Sequence, residues 1–318
     1  MVTIGSAQAD PGEAATGWLE VGESRIGRPI ALPVAVYEGA TGGQTLYIQA
    51  ASDGDELNGV GVIREVAQQL DPAALTGRVV MVGVVNYEAF HQQVHRNPID
   101  DMKLNRTYPG STEGSASERI AAATFELATE ADLILDLHQG STSQMIDEVR
   151  VRCGRRHRLH ESCLELARTF DTGYIFDQQG PRGQLARVAP DEGIPAIDPE
   201  LGGAVGWDAA SIRTGVRGVM NVLRGYGFLD GDIEVGPQRR ARRFDQYGAP
   251  VGGLVSFEAG LGQAVEAGDV LFGVTDVFGT ARAEVSAESD GIFWRANRRP
   301  QVASGEYVCS VGTGVDTV

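Results

Sequence analysis

Lysine is almost missing from this chain: of its 27 basic residues only Lys103 is a lysine, against 43 acidic residues and a net charge of −16. Nucleic-acid binding needs clustered positive charge facing phosphates, so this balance argues against it. The densest basic run, Arg239-Arg240-Ala241-Arg242-Arg243, falls in an expected linker and reads as a surface patch. Three cysteines, Cys153, Cys163 and Cys309, cannot all pair and give no disulfide scaffold, which fits a cytoplasmic setting. The longest apolar runs, such as Val79–Val85 and Leu133–Leu137, fall short of the ~20 residues of a membrane span. No charged-then-apolar leader opens the chain, so no secretion signal is expected. No Gly-x-Ser-x-Gly elbow and no phosphate loop appear, and Gly59-Val-Gly61 lacks the third glycine of a dinucleotide fingerprint.

What is present is a foldable core. Hydrophobic residues make up 42% of 318, and at about 150 residues per domain the length predicts two domains. Residues 1–17 are small and polar and are expected to be frayed. Residues 18–230 alternate apolar runs with amphipathic stretches. Thr45–Ala50, Val79–Asn86, Leu133–His138 and Pro195–Glu200 read as strands; Gly59–Leu70, Ser115–Glu130, Arg158–Phe170 and Ala209–Gly225 read as helices. Such alternation predicts an α/β layer with a parallel or mixed sheet, whose ligands bind at the carboxyl ends of the strands.

After a linker at 231–244, residues 245–318 carry short strands, many glycines and no helical period. Gly253-Leu-Val-Ser-Phe followed by Val265-Glu-Ala-Gly268 is echoed by Gly291-Ile-Phe-Trp-Arg followed by Val302-Ala-Ser-Gly305. A repeat of about forty residues predicts two related hairpin units closing a small β-barrel or sandwich. The layout resembles the barrel-sandwich of lipoyl and biotinyl carriers, but no lysine is available at a hairpin tip, so carrier function is excluded. An exposed barrel suits subunit contacts and hence a homo-oligomer.

Four polar features punctuate the strand ends. Asp53 and Glu56 follow the first strand, three residues apart, and can converge on one point; capping of the next helix by Asp53 or Asp55, with Glu56 favouring its dipole, is the alternative. Asp136 and His138 end another strand on one face. Glu200 ends a third, followed by glycines. A loop from Arg96 to Gly110 is rich in fixed donors, its two arginines suited to a carboxylate. His91 and His95 flank that loop at helical spacing; lining of the substrate pocket is one reading, and a solvated pair is the one expected. Cys153, His157, His160 and Cys163 offer four zinc-type ligands, but their spacing matches no finger or ribbon, and an ordinary helix is expected there.

The blocks Gly54-Asp-Glu-x-Asn-Gly, Asp-x-x-Leu-Asn-Arg-x-Tyr-Pro-Gly, Asp-Leu-His and Glu-Leu-Gly-Gly occur in that order. Together they resemble the succinylglutamate desuccinylase/aspartoacylase family, related to the zinc carboxypeptidases, over about residues 40–318. Within the family the resemblance is to deacetylases acting on N-acetyl-diaminobutyrate and similar N-acyl amino acids. It implies a zinc-carboxypeptidase-like mixed sheet with helices on both faces plus the small C-terminal barrel-sandwich. It also implies one Zn2+ per subunit held by Glu56 and His138, with Glu200 activating water and protonating the leaving nitrogen. Asn105 and Arg106 would hold the carboxylate of a small amide substrate, Arg96 would polarise the scissile carbonyl, and Arg187 would add a further positive contact.

The family's first metal ligand is a histidine, and this chain has Asp53 there. Aspartate binds zinc through oxygen, and the resulting Asp53, Glu56, His138 set admits Mn2+ or Co2+ as well. Two carboxylates leave the centre less positive, so Glu200 would carry more of the activation. The expectation is therefore a metal-dependent deacylase. A carboxypeptidase-like action on short peptides and a metal-free homologue with a binding role are the competing readings.

Overall fold

The computed structural model describes residues 1–204 and 206–318. At its centre is a ten-stranded mixed sheet. Four of its strands, Thr76–Val82, Thr41–Ala50, Leu133–Gly140 and Ala196–Gly203, lie parallel and side by side. Antiparallel Pro29–Glu38 and Glu13–Glu23 extend one edge. On the other side Glu148–Val151 runs antiparallel to Ala196–Gly203, and Tyr174–Asp177 follows it in parallel.

The parallel strands read as continuous apolar runs because both faces are covered. Leu46, Ile48, Val79, Met81, Leu133 and Leu135 face the helices Asn58–Gln69, His160–Phe170 and Ala209–Gly225. Tyr47, Val80, Val82 and Ile134 face the opposite way, against Ala116–Thr129 and Leu185–Val188. Ala116–Thr129 starts at a capping box: the Ser115 hydroxyl accepts from Glu118 N–H, and the Glu118 carboxylate accepts from Ser115 N–H at 2.8 Å. No helix among the described residues is long and apolar enough to cross a membrane.

Two expectations are corrected. Residues 1–17 are not frayed: Val2–Ile4 and Ala7–Ala9 form a hairpin with Ile4, Ala7 and Ala9 buried, and Glu13–Glu23 pairs along Pro29–Glu38. The hairpin lies so close to its neighbour that a Cβ at Gly17 would stand 2.4 Å from the Ala7 nitrogen. A glycine at 17 is what this contact demands, and composition alone mistakes the segment for a loose end. Nor is the expected linker only a linker. Arg239–Ala241 joins the central sheet beside Tyr174–Asp177, and the chain's last strand, Asp316–Thr317, returns to pair with it. The basic run is not a free patch either, since Arg240 and Arg242 both pair with Asp316, at 2.7 and 2.5 Å.

The terminal unit is two antiparallel sheets around Phe272, Phe293, Val308 and Val311. Each half of the repeat forms one hairpin, Gly253–Phe257 with Val270–Thr275 and Gly291–Asn297 with Tyr307–Thr313. Each also lends a two-residue strand to the other's sheet. Ser143–Met145, from the α/β unit, pairs with Gly291–Asn297 and stitches the two units together.

Candidate active site

The strand Thr41–Ala50 ends at Ala51, a non-glycine residue with φ 56°, and this turn carries Ser52, Asp53 and Gly54 across the sheet's carboxyl edge. The loop lies hard against the short helix Tyr87–Gln92: a Cβ at Gly54 would come within 2.2 Å of the Ala89 carbonyl carbon. Asp53 and Asp55 do not cap the helix that follows. Its free Leu57 and Asn58 N–H groups donate to the side-chain oxygen of Gln139, at 3.0 and 2.8 Å. The Asn58 amide in turn donates to the Leu201 carbonyl at 2.9 Å, tying this helix to the strand that bears Glu200. With capping done by Gln139, the two acidic side chains are released for other work.

Glu56 is buried and faces His138, whose Nδ1 lies 2.8 Å from Glu56 Oε2. The Gln139 N–H donates to the same oxygen at 3.1 Å. On its other side His138 Nε2 stands 2.9 Å from the Asn105 amide and 3.2 Å from Asp136 Oδ2. Asp136 interrupts an apolar strand; the Gln49 amide, itself within 3.0 Å of the Tyr108 hydroxyl, donates to it at 2.8 Å. Burial pushes Glu56 up to about 7, the Asp53 charge adds to this, and His138 opposes it. Burial works against charge on His138, yet Asp136, Asp198 and Glu56 outweigh it and hold the imidazolium well above its ordinary value.

Asp53, Glu56 and His95 each offer a ligand atom within 4.8 Å of the others, and among the described residues this is the convergent group of that kind. His95 Nδ1 is 3.0 Å from Asp55 Oδ1, and its Nε2 is 3.7 Å from Asp53 Oδ1. The Lys103 ammonium reaches into the same cluster, 3.1 Å from Asp53 Oδ2 and 2.7 Å from His95 Nε2.

Glu200 is next to His138 in the parallel ladder and next to Glu148 in the antiparallel one. Between the two acids lies buried Arg150, its Nε donating to Glu148 at 2.6 Å and its Nη1 to Glu200. Burial disfavours the guanidinium charge, but Glu148, Glu200 and Asp198 together raise its pKa further still. Trp294 of the terminal unit donates its indole N–H to the other oxygen of Glu148.

The structure thus gathers Asp53, Glu56, His138, Asn105 and Glu200 at one end of the sheet. Asn105 is buried and Arg106, exposed beside it, donates to its carbonyl. Arg96 is exposed and committed to the Asp101 carbonyl at 3.0 Å; Arg187 pairs with Asp191 at 3.3 Å. Neither guanidinium is directed at the cluster. His157 Nε2 lies 3.3 Å from Asp191 and His160 Nε2 2.9 Å from Asp177, and a helix forms over His160–Phe170. Sequence reasoning missed four participants: His95, read as solvated, and Lys103, Gln139 and Arg150. The signal available for Lys103 was its rarity; for the others there was none local.

The cluster fits a divalent cation in its chemistry. Two carboxylates and an imidazole are borderline-to-hard donors suited to zinc or manganese. Asp53 Oδ1 is buried without a hydrogen-bond partner, and the Asp53 charge adds to the burial that raises Glu56. The third member is His95, however, and His138 stands beside it as the partner of Glu56.

A model of the succinylglutamate desuccinylase/aspartoacylase catalytic domain matches residues 42–226. The chain is 26% identical over 305 residues to the N-alpha-acetyl-L-2,4-diaminobutyric acid deacetylase of Halomonas elongata, spanning 91% of this chain and 87% of that protein. Among solved structures, a succinylglutamate desuccinylase/aspartoacylase from Rhodobacter sphaeroides is similar at TM-score 0.86 and 23% identity, over 98% of each chain. The product-bound ectoine utilization protein EutE (DoeB) from Ruegeria pomeroyi is similar at TM-score 0.85 and 24% identity, over 96% of each chain.

Proposed function

This chain belongs to the succinylglutamate desuccinylase/aspartoacylase family, and from that premise we propose that it hydrolyses the amide bond of a small N-acyl amino acid, releasing the free amine. The observation that carries the reading is the convergence of Asp53, Glu56 and His95 within 4.8 Å at the carboxyl edge of the parallel strands, beside Glu200. Asp53, Glu56 and His95 are the side chains that would hold a divalent cation, with His138 orienting Glu56. When bound, such an ion polarises an amide carbonyl and acidifies water.

The chain's own groups do the rest. Arg150 engages Glu200 Oε1 and fixes the carboxylate, so that Oε2 takes the proton of the attacking water and returns it to the leaving nitrogen. Exposed Arg106 binds the substrate's carboxylate at the rim, which places the scissile amide without long contacts; buried Asn105 would have to turn its own amide from His138 Nε2 to join it. Arg96 would have to leave the Asp101 carbonyl to reach the scissile carbonyl. The name of the Halomonas elongata relative makes N-acetylated 2,4-diaminobutyrate the first substrate to try.

The test is amine release from a panel of N-acetyl amino acids by chelator-treated protein resupplied with Zn2+, Mn2+ or Co2+. Metal-restored release from at least one carboxylate-bearing amide is expected. Absence of release with every metal overturns the reading.

A further inference from the structure

Lys103 is the chain's one lysine, and its ammonium contacts two of the cluster's three donors, Asp53 and His95. We propose that Lys103 is a tethered cation that holds the metal position, and that a divalent ion loads only by displacing it. The inference rests on reading Asp53, Glu56 and His95 as cation donors.

The geometry makes the two occupants mutually exclusive. A divalent ion held by this group would need the Nε2 lone pair of His95 and a carboxylate oxygen of Asp53. Lys103 Nζ already sits 2.7 Å from that Nε2 and 3.1 Å from Asp53 Oδ2. With His95 Nδ1 turned to Asp55, Nε2 is the nitrogen that accepts from the ammonium, so its lone pair is taken. An ammonium seated on two of the donors would also repel a divalent cation bound by them.

The choice of residue fits this role. An ammonium is a compact point charge with three rotatable donors, whereas a guanidinium is a planar fork; only the former can stand where a spherical ion would. Every other cationic side chain here, histidine aside, is an arginine. Asp53, at the position where the family pattern has a histidine, is what makes the pairing favourable, because a carboxylate draws an ammonium in and a neutral imidazole does so far less. Asp53 is 2% exposed and Lys103 25%, so the lysine has a way out to solvent and the aspartate does not. The backbone of its loop is pinned independently: Asp100 accepts from the Ser117 N–H at 2.7 Å and hydroxyl at 2.9 Å. The four-carbon stem can therefore swing while the loop stays.

The test is isothermal titration of Zn2+ and of Mn2+ into chelator-stripped full-length protein, comparing the parent with Lys103→Met. The variant is expected to bind metal roughly tenfold tighter or more, because no ion pair has to be broken first. Equal affinities, or binding to neither protein, overturn the proposal. Should Lys103→Met fail to fold, the parent decides alone: with selective 15N-lysine labelling the single side-chain ammonium signal must shift on metal addition, and an unmoved signal overturns the proposal. Amine release separates the two readings. Tighter metal binding with no hydrolysis of any substrate sinks the deacylase and leaves the displacement standing; hydrolysis with equal affinities does the reverse.

Discussion

Trp294, from the terminal β-unit, donates its indole N–H to Glu148, and Glu148 is the residue that holds Arg150 against Glu200. The β-unit is thus part of the scaffold of the candidate site. Trp294 is fully buried, edge-on to Tyr174 at 5.4 Å and to Phe244 at 5.8 Å. Trp294→Phe keeps most of that packing but removes the donor, leaving a buried carboxylate oxygen short of a partner. A loss of about 1–3 kcal/mol in stability is expected in denaturant melts. A fall in kcat exceeding any rise in KM is expected in kinetics, since Glu200 is positioned through Arg150. Unchanged kcat in a folded variant would show that the relay does not reach Glu200.

Glu200→Gln keeps the volume and one acceptor for Arg150 while removing the proton-accepting carboxylate. Turnover is expected to drop by about 10²–10⁴-fold with KM little changed. The paired measurement is metal affinity, which should stay at the parent value because Glu200 is outside the donor group.

Glu56 links the site to pH. Its folded pKa of about 7 lies above the ordinary 4.5, so the folded state favours the protonated form. Metal-free protein should be most stable below about 4.5 with respect to this group and lose that advantage as pH rises through about 7, by up to roughly 3 kcal/mol. Glu56→Gln should flatten this part of the stability profile, and a saturating divalent ion should flatten it in the parent. A parent profile identical to that of Glu56→Gln would contradict the assignment.

Gly54→Ala tests the loop. Its Cβ would meet the Ala89 carbonyl carbon at 2.2 Å and the Phe90 nitrogen at 2.4 Å, both backbone atoms that cannot give way cheaply. Displacement of Asp53 is expected, with metal affinity reduced at least tenfold and the central sheet intact by circular dichroism.

The strand ends were legible because a parallel sheet covered on both faces leaves an apolar run that stops abruptly, and Asp53, His138 and Glu200 all mark such stops. The cores of the four principal helices were legible from a different signal, the i, i+4 spacing of residues such as Val62 and Val66. His95 was not, because it arrives from a loop beyond a short helix, and nothing local distinguishes it from a solvated imidazole. Gln139 looked like one more polar residue at a strand's end, yet it takes over the capping that Asp53 and Asp55 seemed placed for. Trp294 and Glu148 are 146 positions apart, a pairing that only the stitched strands bring about.

The most direct measurement is a zinc-edge anomalous difference map from crystals grown with zinc. One peak is expected within bonding distance of Asp53, Glu56 and His95, with the Lys103 side chain turned away from Asp53. A peak that leaves Asp53 free, or one that coexists with Lys103 still seated on Asp53, would contradict that arrangement.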